Sequence, residues 1–131
     1  MDKDLMDLLL KDLCGRLPYK VKIEVTYSKD SGSSLRARLC SEGINTLNTN
    51  ILGIFQQSEI YIKPYLFPLS SMTEEQDREF SLLQVNTHKD GFLYVCDCTN
   101  MITWLNKNHF DYRNLIPKGL AIDCTGLNIY V

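Results

Sequence analysis

The residues best suited to holding a charged ligand fall in two short stretches. In Tyr61 to Gln76, YIKPYLFPLSSMTEEQ, the groups Lys63, Tyr65, Ser70 and Ser71 stand where a strand hands over to a helix. Free backbone N–H groups at a helix start, with hydroxyls beside them, bind anions, and a lysine on the entering strand adds charge. In Trp104 to Gly119, WLNKNHFDYRNLIPKG, aromatic residues alternate with polar ones. Arg113 can fork onto a phosphate or carboxylate, and Tyr112, Phe110 or Trp104 can stack on a base. Each stretch also has a plainer reading. Ser71 caps the helix and the prolines stiffen a loop. Trp104 and Phe110 are core, Asp111 caps a turn and Arg113 pairs with it.

Other chemistries find weaker support. His109 and Asp111 are close enough in sequence to suggest a His–Asp pair, but no activated Ser or Cys motif completes a nucleophile. There is no glycine-rich phosphate loop, H-E-x-x-H or G-x-S-x-G. Of five cysteines, Cys96 and Cys98 form the one close pair, and the two histidines, His88 and His109, are not at ligand spacing. Neither a metal site nor a cofactor is expected. The cysteines read as reduced thiols used as small hydrophobes. Arg36 and Arg38, on one face of a predicted strand near Lys20 and Lys22, form a basic face of the kind that is usually solvated.

Bulk properties narrow the class. A chain of 131 residues fits one domain, 1–131, with a single core. A net charge of −2 and a pI near 5.6 argue against general nucleic-acid binding, which favours a basic excess. No apolar run is long enough to span a bilayer. The opening residues MDKDLMDLLLKDL carry acids through the apolar pattern and do not read as a signal peptide, so a cytoplasmic location is expected.

The elements follow from periodicity. Leu5, Leu8, Leu9 and Leu13 predict an amphipathic first helix, ended by Gly15 and blocked by Pro18. YKVKIEVTY alternates as a half-buried strand with Val21, Ile23 and Val25 inward. LRARLC, Leu35 to Cys40, is expected to pair with it as a hairpin. Ile51 to Phe55 suggests a strand. Another occupies SEIYIKPY and should stop at Pro64 or lie at an edge. A second helix starts near Thr73, capped by Ser71 or Thr73. FLYVC reads as a short strand, and Asp97 or Thr99 caps a third helix. The segment from Asn108 reads as irregular or as a short helix, and GLNIYV suggests a last strand. The expected fold is α+β: a small, curved, mainly antiparallel sheet packed against about three helices.

The stretches LCGRLPYKVKIEV, IKPYLFPLSSMTEEQ and WLNKNHFDYRNLIPKGLAI resemble a family of small proteins encoded in gut Bacteroidales genomes, often in phage and prophage neighbourhoods. Lys63 to Glu75 follows the family pattern K-P-Y-L-x-P-[ML]-S-S-M-T-E-E, and Asn106 to Ile122 follows N-x-x-H-F-D-Y-R-x-L-I-x-x-G-L-A-L. Phe67 stands where arginine is common, which removes one cation from the loop. The resemblance brings no established activity. It implies a phage accessory protein in the host cytoplasm.

These readings converge on a non-enzymatic protein that sequesters a small anionic, nucleotide-like ligand to blunt a host defence. Lys63, Ser70 and Ser71 would hold phosphate, Tyr65 and Tyr112 would stack or donate, and Arg113 would clamp. The second class is a protein-interaction module that inhibits or adapts a host protein through Tyr61, Tyr65 and Phe67. The third is a hydrolase or transferase using His109 and Asp111. Short edge strands and tyrosine-rich faces also suit a homo-oligomer.

Overall fold

The computed structural model describes residues 3–27, 42–57, 60–87 and 95–130. Within them the protein is α+β, with four helices and a five-stranded sheet. Helix α1, Lys3–Arg16, buries Leu9 and Leu13 as its periodicity requires. It does not stop at Gly15. That residue lies inside the helix, where a Cβ would sit 3.5 Å from Asn106 Nδ2. The chain turns instead through a 3₁₀ segment holding Pro18, and Lys20 takes a left-handed φ of 56°.

Strand β1, Lys22–Tyr27, follows, preceded by the buried Val21 and with Ile23 and Val25 buried. Its partners are β2, Gly43–Thr46, and β3, Ile60–Pro68, both antiparallel. The hairpin strand expected at Leu35 to Cys40 lies outside the described residues, as do Arg36 and Arg38. Lys22 Nζ donates to Thr46 Oγ1 at 2.6 Å. Ile51 to Phe55 is helical, not a strand: α2 spans Thr49–Gln57. Asn48 Oδ1 accepts the Ile51 N–H at 2.9 Å, an N-cap. Ile51, Leu52 and Phe55 then fall at helical spacing on one buried face.

Strand β3 runs through Pro64 to Pro68. Two short strands join its second half in parallel: β4, Phe110–Asp111, opposite Phe67 and Pro68, and β5, Ile122–Asp123, opposite Tyr65 and Leu66. The Phe67 N–H donates to the His109 carbonyl, and the Leu66 carbonyl accepts from the Cys124 N–H, so β4 and β5 lie on opposite edges. By the same alternation the nitrogen of Pro64 faces the β5 edge, before the first β5 pair. No ladder bond is lost there, which is why proline is tolerated in this strand.

Helix α3, Glu74–Thr87, opens on a reciprocal capping box. The Gln76 N–H donates to Thr73 Oγ1 at 3.1 Å and the Thr73 N–H donates to Gln76 Oε1 at 3.0 Å. Of the two caps the sequence offered, Thr73 is used. Helix α4, Val95–Lys107, begins earlier than expected. Val95 and Cys96 belong to it and not to a strand, and Asp97 and Thr99 are interior and not caps. Residues 126–130 form no strand. Among the described residues no helix is long and apolar enough to cross a membrane.

The core joins Leu9 and Leu13 of α1, Val21, Ile23 and Val25 beside and in β1, Ile51 and Phe55 of α2, Ile62 and Leu66 of β3, and Leu115 and Leu120. A ring sequence connects the helical pair to the sheet. Trp104 stacks on Phe110 at 5.6 Å and 8°, and Phe80 lies 5.4 Å from Trp104. Phe67 lies 6.0 Å from Phe110 and 5.9 Å from Tyr130.

Candidate functional site

The turn after β4 is set by Asp111. Its carboxylate accepts the N–H groups of Leu115 and Ile116 at 2.9 Å each, and that of Arg113 at 3.3 Å. Three main-chain donors fix the turn, and Asn114 takes a left-handed φ of 58° within it. The turn carries Tyr112 and Arg113 back to α1.

There they meet two buried charges. Asp12 and Arg16 are each 0% exposed, one turn apart on α1. Arg16 Nε donates to Asp12 Oδ2 at 2.7 Å, and its Nη2 donates to the Phe110 carbonyl at 2.6 Å. Arg113 Nε donates to Asp12 Oδ1 at 3.2 Å. Both guanidinium carbons lie over the Tyr112 ring, at 5.1 and 5.0 Å from its centroid. The Tyr112 hydroxyl donates to Asn106 Oδ1 at 2.8 Å. One buried carboxylate thus faces two guanidiniums, a surplus of one positive charge. Arg16 alone would neutralise Asp12. Arg113 Nε is committed to Asp12, and its side chain remains 25% exposed. Arg16 Nη1 is buried and has no partner.

The other predicted groups lie elsewhere. Lys63 is exposed, opposite Glu24 in the β1–β3 register. Tyr65 is 7% exposed, with its hydroxyl 3.5 Å from Glu24. Burial first, and then the Glu24 charge, raise its phenol above the usual range. Ser71 Oγ donates to the Pro68 carbonyl at 2.7 Å, and Ser70 is exposed. Glu74, Glu75 and Asp77 already place three carboxylates at the positive end of α3. The two stretches do meet, through the Phe67–Phe110 and Pro68–Asp111 pairs. Their six singled-out side chains nevertheless form three groups: Lys63 with Tyr65 near Glu24, the serines near Pro68, and Tyr112 with Arg113 on α1.

His109 and Asp111 do not act as a pair, since both Asp111 oxygens serve the main chain. His109 sits at φ 63°, stacks on Tyr130 with centroids 3.7 Å apart, and has a buried Nδ1 without a partner. Burial, and then the Arg16 charge, lower its imidazole to about 4. Cys124 is buried, and that burial pushes its thiol up to about 11, so it is held protonated. Among the described residues no group of carboxylates, cysteines and histidines is arranged to hold a metal ion.

Sequence reasoning missed Asp12, Arg16, Asn106 and Tyr130. For the first two a signal existed: an i,i+4 Asp–Arg pair beside the apolar Leu9 and Leu13. Nothing local marks Tyr130, whose hydroxyl bonds reach residues 65 and 108 positions away. No family model, curated protein or solved structure matches this chain.

Proposed function

We propose that this protein is a non-enzymatic binder of a small anionic ligand, nucleotide-like in class, and that Arg113 is its outermost clamp. The observation that carries this reading is the second guanidinium on a carboxylate that needs only one. A buried cluster with one surplus positive charge is costly unless an anion completes it. Arg113 brings part of that charge to the surface, braced by Asp12 and the Tyr112 ring. A held guanidinium loses little side-chain entropy on binding.

In this reading Tyr112 serves the cations and not the ligand directly. The Tyr112 hydroxyl is committed to Asn106 and its ring lies under the guanidiniums, so it positions cations and does not stack on a base. Ser70 and Ser71, beside an acidic helix start, are weaker phosphate ligands than Arg113. The family resemblance implies only the setting, a phage accessory protein, and sequestration of a signalling nucleotide is the role this reading gives it there.

The test is native mass spectrometry and calorimetry of the purified chain against nucleoside phosphates and inorganic pyrophosphate. Binding that weakens about tenfold or more in Arg113→Ala, the scale of one charge-assisted contact, supports the reading. Absence of any retained anion defeats it. A protein-interaction role draws on the outward Tyr61, 51% exposed, with Ile44, 55% exposed, on the same sheet face. Tyr65 and Phe67, expected on that surface, are buried and half-buried.

A further inference from the structure

Strands β1 and β3 part company at one point. Their register runs from Tyr27–Ile60 to Ile23–Pro64, so Lys22 and Tyr65 would form the next pair. That pair does not close. The Tyr130 hydroxyl sits between the strands, accepting the Lys22 N–H at 2.7 Å and donating to the Tyr65 carbonyl at 2.7 Å. The phenol ring lies face to face with His109, at 3.7 Å and 13°, and against Phe67 at 48°. A planar ring therefore occupies a slot with an imidazole on one face, a phenyl beside it, and a main-chain donor and a main-chain acceptor from opposite strands converging at its end.

Those are the elements that recognise a nucleobase. The base stacks on an aromatic face, and its edge presents an acceptor beside a donor, complementary to an N–H and a C=O. A phenol hydroxyl meets both with a single oxygen, whereas a base edge such as N1 and the N6 amino group of adenine meets them with two atoms. Arg16 donates from Nη2 to the carbonyl of Phe110, the residue after His109, at 2.6 Å, and its Nη1 is unpaired. A phosphate on the same ligand would be drawn toward this positive charge.

We propose that Tyr130 is an internal plug in a nucleobase slot formed by His109, Phe67 and the Lys22 and Tyr65 main chain, displaced when a nucleotide binds. This rests on the anionic-ligand reading and adds the base-recognition element that the Tyr112 ring cannot supply. The plug lowers apparent affinity by the fraction of time the slot is open.

The experiment compares adenosine 5′-monophosphate and adenosine by calorimetry and ligand-observed NMR on the wild type, Tyr130→Ala and Tyr130→Phe. Removing the ring should tighten adenosine 5′-monophosphate binding about tenfold or more, the change expected if the plug is closed nine-tenths of the time. Tyr130→Phe keeps the ring and loses both hydrogen bonds, so a smaller gain is expected. His109→Asn should abolish the gain in the Tyr130→Ala background. p-Cresol, the missing side chain as a free molecule, should raise the melting temperature of Tyr130→Ala and compete with the nucleotide.

The proposal is overturned if Tyr130→Ala, folded as judged by its p-cresol response, binds neither probe more tightly than wild type. If Tyr130→Ala does not fold, unchanged binding in Tyr130→Phe overturns it. Equal gains for adenosine and its monophosphate, both indifferent to Arg113→Ala, would uphold the slot and remove the anion reading. Pyrophosphate binding lost in Arg113→Ala, with no gain for either probe, would do the reverse.

Discussion

His109 gives a quantitative test of the packing around Tyr130. Its imidazole is lowered from 6.5 to about 4, first by burial and then by Arg16. The folded protein therefore holds this proton less tightly than the unfolded chain. Above pH 6.5 neither state is protonated and the stabilisation is complete. As the pH falls below 6.5 the unfolded chain takes up the proton while the folded one does not, and stability declines until the folded imidazole itself titrates near 4. At about 1.4 kcal/mol per tenfold change in proton affinity, full expression would be about 3 kcal/mol. The ring is partly open to solvent, and screening reduces the expected loss to about 2 kcal/mol. Urea denaturation across this range measures it. Carboxylates elsewhere also titrate, so the informative quantity is the difference between wild type and His109→Asn. Asparagine tolerates the left-handed φ and does not titrate. The wild type should lose about 2 kcal/mol more than the variant between pH 6.5 and pH 4. Parallel curves would show that His109 is not held away from water and would refute the argument.

Four further outcomes follow from the geometry. Asp12→Ala strands two guanidiniums, one fully buried, and should cost about 3–5 kcal/mol by urea denaturation, whereas Arg113→Ala leaves the Asp12–Arg16 pair intact and should cost about 1 kcal/mol or less. Thr73→Ala removes one half of the capping box and should cost about 1 kcal/mol by the same assay, with helicity lost from the start of α3. Lys20→Gly relieves a left-handed φ on a residue with a Cβ and should stabilise the fold by about 0.5–1 kcal/mol by urea denaturation, net of the greater freedom of glycine in the unfolded chain.

What was legible in the sequence was local. The alternation of Val21, Ile23 and Val25 gave β1 its buried face, and Thr73 with Gln76 gave α3 its start. Asp111 caps its turn, as its position before Arg113 and Asn114 suggests. Features governed by pairing or distance were not legible. Ile51 to Phe55 is apolar and rich in isoleucine, and only Asn48 three residues earlier marks it as a helix. Pro64 argued for an edge, and its nitrogen does face an open one: β1 pairs with the other edge of β3, and β5 joins this edge only from Tyr65, so the strand can continue through it. Arg113 was expected to answer Asp111 two residues away, but main-chain donors claim that carboxylate and Arg113 reaches Asp12. An i,i+4 Asp–Arg pair on a helix ordinarily reads as surface, so the burial of Asp12 and Arg16 becomes visible only once the turn after β4 is folded over them.

The closures at Lys22 and Arg16 set an order for folding. Tyr130 reaches back 108 residues to Lys22, and Phe110 accepts from Arg16 across 94. Helix α1 and β1 can form early, but the charge on Arg16 and the gap in the ladder at Lys22 are resolved only when the distant segments dock. Contacts of such separation slow folding, because much of the chain must be ordered before they form.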